Sequence, residues 1–160
     1  MPTKQYQIEV PSHLRAIPEI LNYIKEQMGD FSRGGFIYRA FDETNLERIL
    51  STGIDRDNSG CTQPRDAEWV RVNNNLEANE WMYATPELNV PLQIATQNYM
   101  FELLNSEVRV PQRAIAVYAV EQLYPLINCL NRRNPKPIFA FKNPSHKNDA
   151  LAAIFTIKRT

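Results

Sequence analysis

The run Ala114-Ile115-Ala116-Val117-Tyr118-Ala119-Val120 carries no charged residue and is almost wholly apolar. It restricts the fold more than any other stretch. A strand with one wet face alternates apolar and polar residues, whereas a run that is apolar on both sides of the pleat fits a central strand covered on both faces. A chain of 160 residues, 43% of them hydrophobic, is long enough to bury such a strand in one sizeable core.

The remaining elements are read around that strand. Tyr6 to Val10 alternates weakly, a short strand ended by Pro11. Ile17, Ile20, Leu21, Ile24 and Met28 recur at i, i+3, i+4, i+7 and i+11, with Pro18 in the first turn and Gly29 as the stop, which predicts an amphipathic helix. Gly34 to Phe41 predicts a short strand. It leads into a helix that Thr44 caps with Glu47 as a capping box, with Leu46, Ile49 and Leu50 as its apolar face and Gly53 as its end. Glu80 to Thr85 reads as a second strand with Pro86-Glu87-Leu88 as the turn out of it, and Pro91 to Leu104 as a buried helix. Ile138 to Phe141 and Ala150 to Ile157 complete the strands. The expected class is α+β, a single domain over 1–160 with a mixed or antiparallel sheet and flanking helices, comprising an N-terminal strand and helix segment (1–30) and a core (34–160).

Composition excludes more than it assigns. Lys plus Arg (18) balances Asp plus Glu (18), so no global field draws the chain to nucleic acid or an anionic membrane. Cys61 and Cys129 lie far apart with no zinc-type spacing, which points to free thiols in a reducing compartment. The N-terminus has no signal-peptide core and no apolar run reaches membrane-span length, so the expected location is the cytoplasm. Phosphate-loop, Rossmann, zincin and serine-hydrolase signatures are absent. Asp55 to Gly60 resembles a calcium loop only faintly, since its glycine is misplaced and the closing glutamate is missing. The polar, aperiodic stretch 54–79 is the length of a functional loop, with Trp69 to pin it to the core.

Two strand ends carry the candidate site. Tyr38-Arg39 and Tyr83-Ala84-Thr85 each close an apolar strand just before a helix, where side chains open into clefts. Together with Asn45-Leu46-Glu47-Arg48-Ile49-Leu50-Ser51-Thr52-Gly53-Ile54 and Met82-Tyr83-Ala84-Thr85-Pro86, these segments resemble the ADP-ribosyltransferase fold, in particular its small bacterial toxin-like members. The likeness covers about a third of the chain. It implies NAD as substrate, with Arg39 and Tyr38 beside its phosphates or ribose, Tyr83 stacked on nicotinamide and Thr85 orienting nearby polar groups. It also implies transfer of ADP-ribose to a macromolecule or hydrolysis of NAD, and an antitoxin or immunity partner. The family's late glutamate is where the sequence departs. Asp149 precedes the last strand and is one methylene shorter, and Glu121 follows the central strand, so these two are the catalytic candidates. The alternative is a non-catalytic binding or assembly protein that presents the 54–79 loop to a partner; an enzyme acting on a 2′-phosphate end is a third reading. His13 and His146 read as surface histidines, and Arg132, Arg133 and Lys136 as a small basic cluster.

Overall fold

The computed structural model describes residues 3–52, 81–105, 113–119, 139–142 and 151–159. Strands β1 (Lys4–Val10), β2 (Phe36–Phe41), β4 (Ala114–Ala119) and β6 (Leu151–Arg159) form a mixed sheet in the order β1-β6-β4-β2. Strand β1 runs parallel to β6, and the other two pairings are antiparallel. The short strands β3 (Trp81–Ala84) and β5 (Phe139–Lys142) pair antiparallel in a second sheet. An isolated bridge between Tyr38 and Thr85 joins β2 to the end of β3. The α+β class and the mixed sheet agree with the sequence. The N-terminal strand β1 pairs along its whole length with β6.

The apolar run at 114–119 is the centre of this arrangement. Ala114 to Tyr118 are all fully buried, and alternate side chains enter two separate cores. Ile115 and Val117 join Ile8, Val10, Tyr38, Phe155 and Ile157 on the face covered by helices α1 (Ile17–Met28) and α3 (Asn89–Leu104). Ala114, Ala116 and Tyr118 join Ile37, Phe41 and Ile154 on the face covered by helix α2 (Leu46–Thr52) through Ile49. Each large side chain so buried contributes about 1.5–3 kcal/mol. A β-bulge lets the two cores meet β6. Val117 pairs with Ala153 but Tyr118 pairs with Leu151, and the skipped residue turns Leu151 into the α2-side core.

The helices follow their apolar spacing with three departures. The buried stripe of α1 is narrower than the sequence pattern: Ile20, Ile24 and Met28 are buried, while Ile17 is 36% exposed. Thr44, expected as the cap of α2, lies inside a 3-10 turn ahead of that helix, and the cap of the turn is Asp42. Its carboxylate accepts from the Thr44 N–H at 3.0 Å and opens a 3-10 turn, Glu43–Asn45, that leads into the helix. Helix α3 begins at Asn89, which leaves Pro91 in the first turn where its missing N–H costs nothing. It buries Leu92, Ala95, Thr96 and Tyr99, yet Phe101 is 51% and Leu104 72% exposed, so it is not buried all round.

The cap makes a direct prediction. Asp42→Ala is expected to lower stability by about 1 kcal/mol, measured by urea unfolding, and Thr44→Ala to cost less. Equal losses from the two variants would mean that the turn is held by something other than the Asp42 carboxylate.

Candidate functional site

The two strand ends singled out in the sequence lie side by side. Tyr38 N–H donates to the Thr85 carbonyl at 2.7 Å, and Thr85 N–H donates back to the Tyr38 carbonyl at 3.0 Å. Gly34 and Gly35 make this possible upstream. Both have positive φ, 97° and 83°, which tightens the chain into β2 at little cost only for glycine. Residues opposed across an antiparallel pair send their side chains to the same face of the sheet. Tyr38 and Thr85 therefore share the face toward α1 and α3, and Arg39 and Ala84 share the other.

That alternation separates the expected site residues. Tyr38 is 1% exposed, and its O–H donates to the Phe31 carbonyl. Burial raises its pKa above the ordinary 10.0, against the opposing effect of a backbone hydrogen bond from Gly34. The ring expected beside a cofactor is closed inside the core, and the phenol holds the turn before β2. The Thr85 hydroxyl is likewise used within the fold, accepting from the Glu87 N–H at 3.1 Å in the turn that leads to α3.

Arg39 is placed differently. It is half-buried in β2 and opposed to Ala116 in β4. Its same-face neighbours along β2 are Ile37 and Phe41, and those across the ladder are Ala114, Ala116 and Tyr118. A guanidinium set in an apolar sheet face interacts with an anion about four times more strongly than one in bulk water. Its fork of donors suits phosphate or carboxylate oxygens. Tyr83 belongs to β3 and pairs in register with Ala140. Glu121, Asp149, His146, Trp69, the 54–79 loop and the cluster Arg132, Arg133 and Lys136 lie outside the described residues.

Two other features are polar. His13 is exposed in the turn after β1, beside an open groove of about 530 Å³ that also touches Glu9, Tyr23 and Gln27; none of the expected site residues lines it. Arg113 and Glu102 form an ion pair at 2.7 Å with both side chains largely covered. No local spacing in the sequence signals this pair, whose partners are separated by ten residues that include Pro111. Among the described residues no group of three His, Cys, Asp or Glu could hold a metal ion, and no helix is long and apolar enough to cross a membrane. No protein-family model, curated protein or solved structure matches the chain.

Proposed function

We propose that the protein binds NAD with Arg39 at the joint of β2 and β3, and that it transfers ADP-ribose to a macromolecule or hydrolyses NAD, as an ADP-ribosyltransferase-like domain. The observation that carries this reading is the half-buried Arg39 on an apolar sheet face, one residue from the Tyr38–Thr85 bridge. The guanidinium takes the pyrophosphate, and Tyr83, two residues before the bridge, supplies the aromatic ring for nicotinamide. Tyr38 and Thr85 serve through their backbone pairing, which fixes the distance between β2 and β3. One carboxylate of Asp149 or Glu121 faces the ribose as the bond to nicotinamide breaks.

The test is a thermal melt with and without NAD, paired with an assay for released nicotinamide. NAD at about ten times its dissociation constant raises Tm by about 3–5 °C for a chain of this size. Arg39→Ala and Tyr83→Ala each remove most of that shift. A wild-type protein that neither shifts with NAD nor releases nicotinamide would overturn the reading and leave a non-catalytic binding domain.

A further inference from the structure

The groove beside His13 is built from three elements, and local spacing sets its walls. Gln7 and Glu9 are two apart on β1 and stand on one side of the strand, opposite to Ile8 and Val10, which enter the core. Tyr23 and Gln27 are four apart on α1 and lie one above the other, beside the buried stripe of Ile20, Ile24 and Met28. Ser12 and His13 come from the turn between the two elements, which the Leu14 N–H closes onto the Pro11 carbonyl at 3.1 Å. The frame is held by the core, since Leu14 and Tyr23 both pack against it. Every residue that lines the groove is a described one, and among the described residues none of these six side chains makes a hydrogen bond or ion pair. The fold positions them without using them.

We propose that this groove binds a neutral saccharide. Charge removes the other classes of polar ligand. No lysine or arginine lines the groove, so a phosphate or carboxylate meets Glu9 with no cation to hold it. Among the described residues no group of three His, Cys, Asp or Glu could hold a metal ion. An organic cation uses Glu9 and the Tyr23 ring, but it leaves the N–H donors of two amides and an imidazole with nothing to accept them. Five of the six side chains both donate and accept: the Gln7 and Gln27 amides, the Ser12 hydroxyl, the Tyr23 phenol and a neutral His13 imidazole. Sugar hydroxyls do both as well, so each of the five finds its match and Glu9 accepts from one more. The Tyr23 ring adds an apolar surface for the C–H face of a pyranose. A volume of about 530 Å³ falls in the range of small-molecule sites. Because the groove is open to water, binding is weak, with a dissociation constant of about 1–10 mM.

The test is an NMR titration of the nitrogen-15-labelled full chain, to about 50 mM ligand. The probes are glucose, galactose, mannose and N-acetylglucosamine, then cellotriose and maltotriose, with phosphate and ethylamine as the anionic and cationic arms. At least one saccharide is expected to give saturable shifts at the amides of Gln7, Glu9, Ser12, His13 and Gln27, and phosphate and ethylamine are expected to give none. Equal affinity for a sugar and its trisaccharide marks a free sugar as the ligand, and a gain with length marks a chain; either supports the proposal. Glu9→Ala is expected to weaken binding about tenfold and Gln27→Ala about fivefold, each with an unchanged melting curve because both side chains are exposed. Gln5→Ala, on the same side of β1 but outside the groove, is expected to leave binding unchanged. Shifts that rise linearly with every saccharide overturn the proposal. So does saturation by phosphate or ethylamine alone, or saccharide binding that survives Glu9→Ala and Gln27→Ala together.

Discussion

Replacing Phe155 by alanine is expected to cost about 3–5 kcal/mol of folding free energy, and to lower Tm by about 8–16 °C. Phe155 lies on β6, between β1 and β4, and is 2% exposed. Its ring stacks on Tyr6 at 5.0 Å and 14°, and meets Phe31 edge-on at 5.7 Å and 68°. Phe31 in turn contacts Phe36 at 5.3 Å, so one ring ties β1, the turn before β2, and β2 itself to the central sheet. A cavity here has little chance to collapse, because the backbone on both sides is pinned by strand pairing. Tyr6 offers the contrast. It is 40% exposed and shares the stacked pair, so Tyr6→Ala is expected to lose about 1–2 kcal/mol. Urea unfolding of both variants decides the matter, and equal losses would show that Phe155 does not organise the aromatic group.

The sequence made the local elements legible where periodicity and punctuation agreed. The apolar run at 114–119 announced a strand covered on both faces, and Pro18 and Gly29 framed α1. It could not show that β1 and β6 are parallel neighbours, since pairing across about 150 residues leaves no trace in local pattern. The helix cap was misplaced for a related reason. Asp42 and Thr44 are both good caps, and the choice between them rests on a 3-10 turn that spacing does not encode. The candidate site was legible in part. The ends of two strands point to the proximity of Tyr38 and Thr85, and the alternation of faces along β2 separates Tyr38 from Arg39. The two-residue period puts Tyr38 and Arg39 on opposite faces, and because both faces are covered, Tyr38 enters the core toward α1 and α3 while Arg39 lies among Ile37 and Phe41 toward α2.

That division predicts how Tyr38 and Arg39 separate under mutation. Tyr38→Ala is expected to cost about 3–5 kcal/mol, as any large buried aromatic does. Tyr38→Phe keeps the ring and loses only the hydrogen bond to the Phe31 carbonyl, about 1 kcal/mol. The alkaline limb then distinguishes the two states of the phenol. Burial raises the Tyr38 pKa above 10.0, so the folded chain holds a proton that the unfolded chain gives up near that pH. The contribution of Tyr38 is therefore complete below pH 10.0 and is lost as pH rises through the raised value. The stability gap between wild type and Tyr38→Phe is expected to narrow above pH 10.0, measured by urea unfolding at a series of alkaline pH values. A gap that stays constant there would mean the phenol is not desolvated in the folded protein. The same variant also tests the assignment of roles at the site. Tyr38→Phe preserves the backbone bridge to Thr85 and leaves Arg39 on its own face, so it is expected to retain the NAD-induced shift that Arg39→Ala removes. Loss of that shift in Tyr38→Phe would return the phenol to the ligand and place the binding surface on the α1 and α3 side of the sheet.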